Sequence, residues 1–171
     1  MGKRIFAFRT YWYPDNSPAA RRFGSFCHYL SKMGNEVTLL ALQPPTSADP
    51  PSYDLSGCKM ILLPNPIRLG AITTRLKQRI FEFLWPHCEY YEAANNIVKR
   101  TAFKLLKHEP FDCMITTCSP LGSLHVANIL HKRFGIPWLA DIRDLPDQFD
   151  PQRKDWDSRR KALSLAAACR G

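Results

Sequence analysis

Residues 4–42, RIFAFRTYWYPDNSPAARRFGSFCHYLSKMGNEVTLLAL, decide the fold. Arg4–Phe8 is a short apolar strand, expected to end at the bulky TYWYP segment. Ser17 followed by Pro18 reads as a helix start. A serine hydroxyl at the N-cap accepts from an otherwise unpaired amide of the first turn, and proline at the first helical position sacrifices no hydrogen bond. Ala19, Phe23, Phe26, Leu30 and Met33 then recur at spacings of 4, 3, 4 and 3, which is one face of a helix. Gly34 suits the cap that ends it. Glu36–Leu42, EVTLLAL, is apolar almost without a break, as a strand of a parallel sheet covered on both sides should be.

The same alternation continues outward. A loop rich in Pro, Ser and Asp, QPPTSADPPSYD, leads to a strand at Lys59–Leu63. Leu69, Ile72, Leu76, Ile80, Phe83 and Leu84 keep to one side of a basic amphipathic helix over 68–86. Arg68, Arg75 and Arg79 run as a stripe beside them, and Pro86 ends the helix. A second helix is expected from about Glu89 to Lys107, a strand at 113–118, a helix over Leu121–Phe134 closed by Gly135, and a strand at Trp138–Ile142. Residues 156–168 are helical in pattern. Strands alternating with helices, each strand apolar along its length, predict an α/β fold. The expected architecture is a doubly wound, mostly parallel Rossmann-like sheet with helices on both faces, in a single domain over residues 1–171.

Composition narrows the function classes. The chain has 171 residues, 24 Lys plus Arg against 15 Asp plus Glu, and a net charge of +9. No apolar run approaches the ~20 residues that a transmembrane helix needs, and the amino terminus lacks the pattern of a secretory signal. Six scattered cysteines form no CxxC pair and no zinc-like spacing with the five histidines, so no metal is expected and the thiols read as reduced and cytosolic. Six aspartates crowd between Asp141 and Asp157, which argues against a general nucleic-acid binder. The excess charge fits an anionic ligand or membrane surface.

In an open α/β sheet a ligand binds at the carboxyl ends of the strands, where strand order reverses. Three segments are expected to leave strands there: 10–22, 119–123 and 141–147. The first reaches a helix start whose amides favour an anion, with Asn16, Arg21 and Arg22 as candidates; the alternative is that both arginines only solvate the helix. The second presents Ser119 or Ser123, or is an ordinary Ser-Pro turn. The third carries Asp141, Arg143 and Asp144. There a carboxylate can take a proton from an attacking hydroxyl and an arginine can hold a phosphate, unless the pair only braces its own loop. GxGxxG, P-loop and GxSxG sequences are all absent, so no nicotinamide, flavin or other cofactor is expected.

Two segments carry a family resemblance. Residues 3–45 pair an aromatic-Pro-Asp loop, small residues and Arg with an amphipathic helix ending LSKMGNEVT; residues 109–150 contain FDCMITTCSPLGS followed by GIPWLADIRDLPDQ. In that order and spacing they resemble the amino-terminal half of family 4 glycosyltransferases, which have the two-domain GT-B fold. The resemblance implies an acceptor-side domain of a retaining enzyme that uses a nucleotide-sugar donor and no metal. The acceptor would be a saccharide, free or lipid-linked, as in surface polysaccharide assembly. It puts Arg143 and Asp144 at catalytic positions and Asn16, Arg21, Arg22, Ser119 and Asp141 at substrate-binding ones. The stripe of Arg68, Arg75 and Arg79 is compatible with docking on an anionic inner leaflet, which would make the protein cytoplasmic with peripheral membrane docking; the alternative is an amphipathic helix packed on the sheet with its arginines in water. These residues lack the carboxyl-terminal donor-binding domain of such enzymes, so they are expected to be inactive alone. The first loop also has no glycine between Thr10 and Phe23, and DLPDQ replaces the family's DLW. The alternative is a non-catalytic Rossmann-like interaction module at a membrane or on a partner protein.

Overall fold

The computed structural model describes residues 2–14, 17–44, 53–64, 92–118, 122–142 and 166. Five strands, β1 (Arg4–Trp12), β2 (Glu36–Leu42), β3 (Cys58–Leu63), β4 (Cys113–Thr117) and β5 (Trp138–Asp141), form one sheet of order β3-β2-β1-β4-β5. Every pairing is parallel, with Ile5 opposite Val37 and Cys113, Val37 opposite Cys58, and Thr117 opposite Asp141. Helix α1 (Pro18–Lys32) covers one face; α2 (Glu92–His108) and α3 (Gly122–Phe134) cover the other. This is the doubly wound, parallel Rossmann-like fold expected from the alternating pattern. The 68–86 helix and the 156–168 pattern lie outside the described residues, Ala166 apart. Among the described residues no helix is long and apolar enough to cross a membrane.

Alternation along β1 divides the core. Ile5 and Ala7 join Phe23, Cys27, Val37 and Leu39 under α1, while Phe6 and Phe8 join Leu40, Val98, Met114 and Leu130 under α2 and α3. Burial on both faces explains why these strands are apolar throughout. The α1 start is as expected: the Ser17 hydroxyl accepts from the Ala20 amide at 3.2 Å, and Pro18 opens the helix. Gly34 and Gly135 take φ of +83° and +70° beyond α1 and α3, where a side chain would be strained.

Two local expectations need correction. The buried stripe of α1 is Ala20, Phe23, Gly24 and Cys27, one position away from the expected Ala19, Phe26 and Met33 face; Met33 is 76% exposed. Both stripes have helical spacing. The small residues win because Gly24 admits the Tyr13 ring system: a Cβ at position 24 would collide with the Tyr13 hydroxyl. The first strand also continues four residues past Phe8 to Trp12, with a register irregularity against β2. The Tyr13 amide then donates to the Leu42 carbonyl at 2.9 Å, so the aromatic segment prolongs the edge where the strands end.

Candidate functional site at the carboxyl edge of the sheet

Strand order reverses beside β1, because the chain builds β2 and β3 on one side and returns to place β4 and β5 on the other. The ends of β1, β4 and β5 therefore lie side by side, and the three expected loops all start from this edge.

The crevice between β1 and β4 is closed by hydroxyls. The Ser123 Oγ accepts from the Thr10 amide at 3.0 Å and lies 3.0 Å from the Thr10 hydroxyl, while the Thr116 hydroxyl donates to the Phe8 carbonyl at 2.8 Å. All three side chains are buried. Ser123, which the sequence left either open to a ligand or part of an ordinary turn before a helix, fastens the start of α3 to the end of the central strand. Gly122 adds to this junction: a Cβ there would collide with the side-chain amide of Asn95 on α2, which would have to move aside.

On the α1 side of the edge the arrangement is ionic. Arg22 Nη2 lies 2.7 Å from Asp141 Oδ1, and the Thr117 hydroxyl donates to Asp141 Oδ2 at 3.3 Å. The Asp141 carbonyl accepts from the Cys118 amide at 2.7 Å. The Asp141 side chain is only 4% exposed, yet Arg22 remains 50% exposed, with its guanidinium 5.7 Å from the centre of the Phe26 ring. A buried carboxylate needs such partners, and a guanidinium that spends one N–H on it keeps others for a ligand. Arg21, its neighbour, extends exposed from the same turn.

Arg9 is 1% exposed on this same face of the sheet, with its guanidinium 5.6 Å from the Tyr11 ring centre and 6.0 Å from that of Phe23. Arginine tolerates such burial because its weakly hydrated, delocalised charge rests on aromatic faces. Sequence reading missed Arg9, Thr10 and Thr117. The available signal was a single charge, Arg9, directly after the apolar run Ile5–Phe8.

Of the expected site residues, the structure brings Arg22 and Asp141 together and sets Arg21 beside them; Asn16, Ser119, Arg143 and Asp144 lie outside the described residues, as do Arg68, Arg75 and Arg79. The ion pair joins α1 near its start to the last residue of β5. Among the described residues no three His, Cys, Asp or Glu side chains converge as metal ligands. At the opposite edge a cavity of about 360 Å³ is lined by Arg4, Glu36, Lys59, Glu109 and Phe111. Its charges are consumed internally: Lys59 lies 2.8 Å from Glu109, and Arg4 lies 3.6 Å from Glu109 and 3.2 Å from Glu36. The Lys59 hydrogen bond holds the Glu109 carboxyl below its usual range, helped by the Lys59 and Arg4 charges.

No family model and no curated protein matches this chain. Among solved structures, the C-terminal domain of a hydrogenase from Pyrococcus furiosus superposes with a TM-score of 0.54 at 18% identity, over 82% of this chain and 93% of that one. Likeness at that identity speaks for the fold alone, and the shared fold is the Rossmann-like α/β sheet. Function is carried by sites rather than folds.

Proposed function

We propose that the chain is the acceptor-side domain of a retaining family 4 glycosyltransferase, which passes a sugar from a nucleotide diphosphate to a saccharide or lipid-linked saccharide. The observation that carries the reading is Arg22, half exposed at the carboxyl edge and held from behind by the buried Asp141. An arginine fixed in this way is suited to a phosphate or carboxylate of the acceptor. Asp141 acts through Arg22 rather than on the ligand, because both its oxygens already have protein partners. By resemblance, Arg143 and Asp144 are the catalytic pair, Asn16, Arg21 and Ser119 contact substrate, and Arg68, Arg75 and Arg79 face the inner leaflet. The donor belongs to a second α/β domain, so these residues bind acceptor without turning over donor, and no metal takes part.

Calorimetric titration of the chain with a short-chain polyprenyl diphosphate disaccharide tests this. Saturable binding is expected, weakened roughly tenfold or more in Arg22→Ala through loss of a charge-assisted hydrogen bond. Uridine diphosphate sugars should be neither hydrolysed nor transferred by residues 1–171. No binding of the disaccharide, or sugar transfer by this chain alone, would remove the proposal.

A further inference from the structure

The two helices on the face opposite α1 carry a marked charge imbalance. Over 92–108 and 122–134 there are six Lys and Arg residues, and Glu92 at the start of α2 is the single acid. Arg100, Lys104, Lys107, Lys132 and Arg133 are exposed, and among the described residues none of them makes an ion pair. Four of the five described acids elsewhere behave differently: Glu36, Glu109, Asp112 and Asp141 face cations, and Asp54 accepts from the Ser56 amide. The two helices pack side by side, Phe103 against Phe134 with ring centres 5.3 Å apart, and both end at the edge where the strands begin. Lys107, Lys132 and Arg133 are thereby gathered in their last turns, with Lys104 three residues before Lys107. Cations there complement the helix dipoles, which accounts for one or two such residues per helix. It does not account for a whole layer without a balancing acid.

We infer that the outer face of α2 and α3 docks on an anionic lipid surface. The shape favours a membrane over nucleic acid. Among the described residues α2 and α3, roughly 25 and 20 Å long, lie side by side with the apolar Ile129 exposed on α3, and both pack along the sheet rather than projecting to enter a groove. The aromatic rings of this layer, Phe103 and Phe134, pack on each other and on the core instead of offering a stacking surface for bases. Docked this way, the sheet stands about one helix diameter, ~10 Å, above the headgroups. Its carboxyl edge then opens along the membrane plane. The inference shares the anionic leaflet with the proposed function but rests on a different set of cations, and it needs neither an acceptor nor Arg22.

Vesicle co-sedimentation of the full chain tests it. Binding is expected to phosphatidylcholine vesicles containing about one-third phosphatidylserine, absent on pure phosphatidylcholine, and lost near ~1 M salt, where the screening length is about 3 Å. Lys107→Glu/Arg133→Glu should lower the partition coefficient by roughly 25-fold, from about fivefold per basic residue removed. Arg21→Glu/Lys32→Glu, with the same change in net charge on α1 at the opposite face, should change it by less than about threefold. Thermal melts of both variants confirm that they fold. Equal losses in the two variants would reduce the effect to net charge and overturn the docking face. So would undiminished binding to neutral vesicles, or a duplex oligonucleotide bound more tightly than the anionic vesicles.

Discussion

Arg22 and Asp141 show at the scale of single residues why a pair and its parts differ in energy. Removing Arg22 leaves a carboxylate 4% exposed with Thr117 as its side-chain donor. Arg22→Ala should therefore destabilise the fold by roughly 1–3 kcal/mol, less than for a fully buried pair because the guanidinium is half in water. Asp141→Asn in the same background removes the stranded charge and should restore part of the loss. Urea unfolding of the four members of that cycle measures the coupling; strictly additive losses would show that the pair does not interact. Cys27 illustrates the opposite kind of burial. Enclosure in the core, with Cys58 nearby, pushes its thiol far above the usual range, so it behaves as a small apolar side chain.

Helix α1 separates what local chemistry dictates from what packing decides. Its start was legible because Ser17 and Pro18 act within one turn, and its end because Gly34 supplies a positive φ. Ser17→Ala should cost about 1 kcal/mol by thermal unfolding, the usual value of a lost N-cap. Which stripe of α1 meets the sheet was not legible. The periodicity of Ala19, Phe23, Phe26, Leu30 and Met33 is as good as that of Ala20, Phe23, Gly24 and Cys27, and the choice rests on the Tyr13 side chain arriving from outside the helix. Likewise the aromatic end of β1 looked like a stop, yet pairing of Trp12 with Leu42 carries the strand onward. Local sequence cannot weigh a partner strand thirty residues away.

In the molecule as a whole, parallel order was readable from the unbroken apolar strands, and with it the edge where a site should lie. The composition of that edge was only partly readable. Arg22 and Asp141 were candidates separately, but nothing in the sequence joins the start of one helix to the end of the last strand. The other edge is held by Arg4, Glu36, Lys59 and Glu109, which tie β1, β2, β3 and the end of α2. Glu109 has a depressed folded-state pKa, so its contribution is present above the unfolded value of about 4.3 and is lost as pH falls through the folded one. Glu109→Gln should cost less than ~1 kcal/mol at neutral pH, since the pairs are solvent-screened. The difference from wild type should fade below about pH 4 when unfolding is followed against acid. A gap that persists into strong acid would assign the loss to packing.

The Arg22–Asp141 bond has a kinetic corollary. Its two residues come from the first helix and the last strand of the sheet, so the bond cannot close until β4 has docked beside β1 and β5 has been added outside it. Contacts between such distant parts of a chain form late, after the entropy of closing long loops has been overcome. Partly folded chains, however rich in helix, would thus be unable to present a fixed Arg22, and competence to bind would arise only with the final strand.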